Sequence, residues 1–158
     1  LWDKVQEINT KGYFFFAQLA AKVMVEQGKG GRIINIASID ALHPTGNLIH
    51  YDTSKGGVVM MTKSLALELG PQGILVNAIA PGGITTPGAA STGASMMAAA
   101  KLTPEQIKAI SENFTQRIPL RRQGYPDEIA RATLFLASPM ADYMTGSLMV
   151  VDGGYLLS

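Results

Sequence analysis

The apolar positions of this chain fall into runs of two kinds, and the kinds alternate. Residues 3–27 carry apolar side chains at helical spacing and stop at Gly28, where "GKGG" supplies residues that tolerate the left-handed conformation that ends a helix. "RIINIAS" follows at once, an apolar, β-branched run that predicts a buried strand whose C-terminal end meets a loop at Ser38 and Asp40. A second long helix is predicted from Tyr51 to Leu69, broken by "GPQG", and "ILVNAIAPGG" reads as another buried strand that stops at Pro81. From Thr85 to Met97 the chain is rich in Gly, Ala, Ser and Thr with little periodicity, which predicts a loop. "TPEQ" then gives Thr103 as helix cap, Pro104 at the first helical position and Gln106 as capping-box partner. A further helix begins near Pro126 and ends before Pro139, and "GSLMVVDGG" closes the chain as a third strand. Helices alternating with apolar strands predict an α/β fold, a doubly wound parallel sheet with right-handed crossovers.

Length and charge narrow the picture. The 158 residues, 47% of them hydrophobic, suit a single domain over 1–158. Thirteen basic and twelve acidic residues are scattered, for a formal charge of +1, so no basic stripe exists to neutralise phosphates and nucleic acid is not expected as a partner. The absence of cysteine excludes disulfides and thiolate metal sites, and two histidines without a helical His-x-x-x-His pair argue against a catalytic metal. The apolar run "YFFFAQLAAKVMV" is interrupted by Gln18 and Lys22 and falls short of the roughly 20 residues of a membrane span, so no membrane partner is expected. No signal-peptide pattern is present, and a reducing, cytoplasmic setting fits the composition. The chain opens on Leu1 rather than methionine, from which loss of an upstream segment is expected.

The candidate chemistry centres on "IHYDTSKGG", where Tyr51 and Lys55 stand four positions apart. A tyrosine in water has a pKa near ~10 and is a poor acid or base at neutral pH. An ammonium one helical turn away favours the phenolate and is expected to lower that pKa, so that the phenol can exchange a proton with a hydroxyl or carbonyl oxygen. Taken alone, such a pair is most often a half-buried aromatic beside a solvated lysine. Ser38 changes the weighting, because it stands at the C-terminal end of the preceding strand, where open α/β sheets bind ligands.

With those residues in view, "GRIINIAS", "YDTSK", "NAIAPGGITTP" and "VDGG" resemble, in order and spacing, the classical short-chain dehydrogenase/reductase family, and the resemblance runs from Leu1 to Ser158. It implies an NAD(P)-dependent oxidoreductase interconverting an alcohol and a ketone or aldehyde, with NAD and NADP not distinguished. By the same resemblance Tyr51 is the acid/base, Lys55 lowers its pKa and holds the nicotinamide ribose, and Ser38 orients the substrate oxygen. Asn9, in "INTKG", matches the asparagine whose backbone binds a water linking Lys55 to solvent; its bland reading is a helix-kink residue. Pro81 and Gly82 would let the backbone pass close to the nicotinamide, Ile84 would offer main-chain groups to the carboxamide and Thr86 a hydroxyl to carboxamide or phosphate. Ser38, Asp40 and Gly83 fall on the substrate side, and no metal is implied.

The family's glycine-rich turn is missing, since no G-x-x-x-G-x-G follows a strand at the N-terminus. The resemblance therefore covers a C-terminal, catalytic part, three strands of seven, with the fold truncated at its N-terminus. Either an N-terminal part is unrecorded, which Leu1 favours, or the chain is a fragment that folds by association. Two other functions stay open: a cofactor-less assembly component, and a hydrolase using Ser38 with Tyr51 and Lys55. His50 offers no Ser-His pair, being 100° around the helix from Tyr51, and His43 either faces substrate or is solvated. The methionines of "SMMAAAK" either line an apolar pocket or join the core. The broad apolar surfaces of the two long helices resemble the family's dimer interface, and with "VDGGYLLS" as a second interface a homotetramer is expected. Substrate choice is expected to lie mainly in residues 88–117.

Overall fold

The structure, a computed structural model, describes residues 1–89, 91, 98 and 100–158. Helix α1 (Trp2–Val5) runs through a π-helical turn (Gln6–Lys11) into α2 (Gly12–Gln27). Strand β1 (Gly31–Ile36) leads to a short 3-10 turn (Ile39–Ala41) and then to α3 (Ile49–Leu69). Strand β2 (Ile74–Pro81) follows, then α4 (Pro104–Arg117), α5 (Pro126–Ala137) and β3 (Leu148–Val151). The three strands are all parallel in the order β1-β2-β3, with Gly31 to Ile36 set against Ile74 to Ile79, and Ala78 to Pro81 against Leu148 to Val151.

Strand alternation decides which helices cover which face. On β2, Ile74 and Val76 point into a cluster with Ala17 and Ala21 of α2, Ile33 of β1 and Ala66 of α3. Ile79 points the other way, onto Leu136 of α5 and Ala141. Helices therefore lie on both faces, as in a doubly wound sheet, and the central strand is buried on both sides. That is why "ILVNAIA" reads as one continuous apolar run rather than an alternating one. Alanines on the inner faces of α2 and α3 let those helices approach the sheet closely. The two buried asparagines of the sheet are paired: Asn35 Nδ2 donates to Thr62 Oγ1 at 2.9 Å, while Asn77 donates to the Met144 carbonyl and accepts from Ser147 N, tying β2 to the turn before β3.

The ends follow local chemistry. Gly28 closes α2 at φ +63°, its N–H donating to the Met24 and Val25 carbonyls. Thr103 and Gln106 form the expected capping box on α4. At the start of α5, Glu128 accepts from Tyr125 N and from both terminal nitrogens of Arg122, which hold its carboxyl down to about 2.

Several expectations are adjusted. The first helix starts at Trp2 and is not uniform, because a π-helical turn interrupts it. The second starts at Ile49, two residues earlier than expected, since Thr45 Oγ1 accepts from Leu48 N and donates to Asp52, fixing the entry. The last strand is shorter than its apolar run, because Asp152 turns the chain by accepting from Gly154 N and Leu156 N. Just before the segment expected to be a loop, Ile84 bridges to Gly124, and within that segment residues 87–89 are helical; residues 90, 92–97 and 99, among them Met96 and Met97, lie outside the described residues. No described helix is long and apolar enough to cross a membrane.

Because Ile79 is fully buried between β2 and α5, Ile79→Ala is expected to lower the unfolding free energy by about 2–5 kcal/mol, read from urea denaturation.

Candidate active site

Three chain segments meet where β1 and β2 end. Ser38 lies two residues past β1 and caps the 3-10 turn, its Oγ accepting from Asp40 N at 3.2 Å. It is 7% exposed. Tyr51 and Lys55 lie on the first turns of α3, which packs across the sheet behind them. The π-helical turn pins that end of α3: Gln6 Nε2 donates to the His50 carbonyl, and Asn9 Nδ2 donates to Ser54 Oγ at 3.0 Å. Ser54, fully buried, passes its own proton to the Tyr51 carbonyl at 2.7 Å. Asn9 thus meets the site through Ser54 and the Tyr51 backbone, and it sits in the irregular part of its helix.

Lys55 is 7% exposed, and its charge is answered locally. Its Nζ donates to the Ile36 carbonyl at 2.8 Å and lies 5.1 Å and 5.7 Å from the ring centres of Tyr13 and Tyr51. Tyr13 Oη donates to the same carbonyl at 2.9 Å. Burial pushes the Lys55 ammonium below its ordinary pKa.

The expected depression of the Tyr51 pKa does not appear. Burial pushes the phenol above its ordinary value, aided by the negative charges of Asp40 and Asp52, while hydrogen bonding from Ser38 pulls it down. The lysine does not reverse this because its ammonium is directed to the end of β1 and over the ring faces rather than onto the phenolic oxygen. Tyr51 is consequently a phenol at neutral pH.

Ser38, Tyr51 and Lys55 line one cleft of about 1250 Å³ together with Pro81, Gly82, Gly83, Ile84 and Thr86. The two glycines serve the walls. A Cβ on Gly82 would come within 2.7 Å of Asp152 Cα, and one on Gly83 within 2.5 Å of the Phe114 ring. Gly124 N donates to the Gly83 carbonyl and Thr85 N to the Gly124 carbonyl, both at 2.9 Å. In a parallel bridge of this kind the N–H and C=O of Ile84 itself face the opposite way. Thr86 Oγ1 accepts from Ala89 N at 3.0 Å, which leaves its hydroxyl proton to donate. The main-chain dipoles of this turn and the Thr86 hydroxyl fit the carboxamide end of a nicotinamide, and Tyr51 with Lys55 fits the adjoining ribose hydroxyls.

Asp40 is not part of this cleft. It lines a smaller cavity of about 360 Å³ with His43, Arg117 and Tyr155, which shares Ser38, Gly82, Gly83 and Phe114 with the cleft. Ser38 Oγ donates to Asp40 Oδ2 at 3.0 Å, and burial raises the Asp40 pKa. His43 meets the Tyr155 ring edge-on at 6.1 Å. Three contributors escape a reading of the sequence: Tyr13, one of four consecutive aromatics; Phe114, hidden on an amphipathic helix; and Gln123, whose Oε1 accepts from Thr85 Oγ1 at 3.0 Å. Only the position of Tyr13 one turn after Asn9 carried a signal. Among the described residues no imidazole is bonded to Ser38, and no group of three His, Cys, Asp or Glu side chains is placed to hold a metal ion.

A parallel sheet with helices on both faces thus carries a polar tyrosine-lysine-serine cluster outside the carboxyl ends of its strands, the place where doubly wound α/β folds bind ligands. The chain belongs to the short-chain dehydrogenase/reductase family, and the family model described as enoyl-(acyl carrier protein) reductase matches residues 1–156. It is 39% identical over 155 residues to 3-oxoacyl-[acyl-carrier-protein] reductase FabG of Aquifex aeolicus, covering 97% of this chain and 56% of that protein. It is 38% identical over 160 residues to L-rhamnose 1-dehydrogenase (NAD(P)(+)) of Azotobacter vinelandii, covering 100% of this chain and 57% of the relative. Among solved structures, a putative 2-deoxy-D-gluconate 3-dehydrogenase from Agrobacterium tumefaciens with bound NADP matches with a TM-score of 0.83 at 38% identity, over 99% of this chain and 59% of that one. The chain spans little more than half the length of the curated relatives it matches.

The contact under Gly83 is open to test. Gly83→Ala is expected to destabilise the protein by about 1–3 kcal/mol through overpacking, and Phe114→Ala in the same chain should remove most of that specific penalty, as a double-mutant cycle by urea denaturation would reveal.

Proposed function

We propose that this chain carries the catalytic part of an NAD(P)-dependent oxidoreductase that interconverts an alcohol and a ketone or aldehyde, with Tyr51 as the proton-transfer group. The observation that carries this reading is the convergence of Ser38, Tyr51 and Lys55 with the Pro81–Ile84 turn and Thr86 on one cleft. The names of the relatives, reductases and dehydrogenases in each case, support the same reaction class.

Each residue has a role in this reading. Tyr51, kept protonated by its burial, donates its proton to the oxygen of a carbonyl substrate and takes it back when an alcohol is oxidised. Ser38 hydrogen-bonds the same oxygen. Lys55, fixed between two aromatic rings, supplies positive charge that favours the transient phenolate and has protons to offer the ribose. Asn9 steadies the backbone under Tyr51 through Ser54, in addition to its part in a water relay from Lys55. Pro81, Gly82, Ile84 and Thr86 would hold the nicotinamide end of NAD or NADP, and a bound nicotinamide supplies hydride chemistry. Asp40 and Gly83 stand on the substrate side, the cavity shared with Ser38 being large enough for part of a small molecule. A hydrolase using Ser38 with Tyr51 and Lys55 is less well supported, because the Ser38 hydroxyl donates to the Asp40 carboxylate and Lys55 Nζ donates to the Ile36 carbonyl.

Tyr51→Phe is expected to lower kcat for NAD(P)H-dependent carbonyl reduction by about 10²–10⁴-fold, while the lost contact to the ribose weakens cofactor binding by a smaller factor, about tenfold or less. Activity equal to wild type would exclude Tyr51 as the proton donor.

A homo-oligomer, a dimer or tetramer, belongs to the same proposal. Phe16, Leu19 and Val23 form an exposed apolar stripe along α2, 78%, 59% and 52% accessible, and Met60 and Leu67 another along α3. Stripes of this size favour burial against a second copy. The mass in sedimentation equilibrium is expected to be a multiple of the single chain, and Phe16→Lys combined with Leu67→Lys is expected to reduce it to that of one chain.

A further inference from the structure

A serine hydroxyl has one proton and two acceptor positions. Asp40 claims a share of both at Ser38. Its carboxylate receives the Ser38 proton at 3.0 Å, and its backbone N–H occupies an acceptor position at 3.2 Å. Ser38 is 7% exposed, and only the cleft and the small cavity that it lines give water access to either bond. The one proton of Ser38 lies on Asp40 here, so the pull of Ser38 on the Tyr51 phenol, and any bond to a substrate oxygen, needs that proton turned back into the cleft.

We propose that Asp40 is a positioning residue that sets the direction of the Ser38 hydroxyl: as a carboxylate it holds the Ser38 proton away from the cleft, and as a neutral acid it releases that proton towards Tyr51 and the substrate oxygen. Ser38 would then face the cleft as an acceptor, suited to an alcohol hydroxyl, while Asp40 is ionised. It would face the cleft as a donor, suited to a ketone oxygen, once Asp40 is protonated. The same substrate oxygen is thus met by complementary partners in its two oxidation states, with pH selecting between them.

The surroundings of Asp40 bear on where this happens. Burial is the largest influence and raises its pKa; Asp52 on α3 adds to the rise, while the Ser38 bond and His43 in the following loop oppose it. Tyr51 and Lys55 on α3, Arg117 on α4 and Tyr155 in the C-terminal turn are the other titratable groups among the described residues lining the cleft and the small cavity around Ser38. Release of the Ser38 proton begins as pH falls towards the Asp40 pKa, which lies above the ordinary carboxylate value and so nearer neutrality than for a surface aspartate.

The inference rests on the reading of Tyr51 as the proton-transfer group, but its test needs no turnover, so the two fail separately. The Tyr51 phenol is titrated by ¹³Cζ NMR in wild type, Asp40→Asn, Ser38→Ala and the double variant. Asp40→Asn is expected to lower the Tyr51 pKa by about half a unit or more, roughly a threefold change in acidity, and the drop is expected to shrink by at least half when Ser38 is absent. Equal drops in the two backgrounds would mean that Asp40 acts on Tyr51 by charge alone, and would overturn the proposal, as would no drop at all. A second measurement uses the native aspartate: the ¹³Cγ titration of Asp40 is expected to move to higher pH in Ser38→Ala, and an unmoved titration also overturns the proposal.

Discussion

A lysine that is 7% exposed must have its charge answered inside the protein, and the way Lys55 is answered organises the catalytic end of this fold. Its ammonium reaches the last carbonyl of β1 and lies against two aromatic rings, one from α2 and one from its own helix. That single atom ties the helix before β1 and the helix after it to the point where the strand ends. Tyr13 closes the arrangement by donating to the same carbonyl. With α2, β1 and α3 locked at one place, the phenol of Tyr51 has a defined position relative to the strand ends, which the proposed proton transfer requires.

The second constraint is the central strand. Because β2 is covered on both faces, its C-terminal end emerges from the core at a fixed place, and the Pro81–Ile84 turn is held there by Asp152 beyond β3 and by Phe114 on α4. The cleft is therefore built from rigid strand ends on one side and from α4 on the other, the helix within the stretch where substrate choice was expected to lie. Polar groups that fix chemistry come from the strands and α3, whereas apolar groups such as Ile107 and Phe114 come from α4.

Local patterns in the sequence carried the architecture. The β-branched runs, the glycine after α2, the capping box at Thr103 and the i,i+4 spacing of Tyr51 and Lys55 each act over a few residues, so each can be read without a partner in space. Ser38 could be set beside that pair because it follows a strand end, whereas Pro81, Gly82, Gly83, Ile84 and Thr86 joined it only through the resemblance of their stretch to the family's loop. What escaped depends on segments far apart in the chain. Tyr13 is one aromatic among four until β1 lies beneath it, and the glycines at 82 and 83 look like cofactor clearance until Asp152 and Phe114 are seen filling their open sides. Likewise the Tyr51 pKa could not be inferred from Lys55 alone, because burial and the two aspartates outweigh a cation aimed elsewhere.

The π-helical turn at Gln6–Lys11 acts as a phase shifter. A π turn holds about one residue more than an α turn, so the side chains after it are rotated in phase relative to those before it. Gln6 and Asn9 can then address α3 while Tyr13, barely one turn on, addresses β1. One continuous rod thus serves two neighbours that a regular helix would have to choose between. Its irregularity is the device that lets a single helix support both the strand end and the tyrosine that works above it.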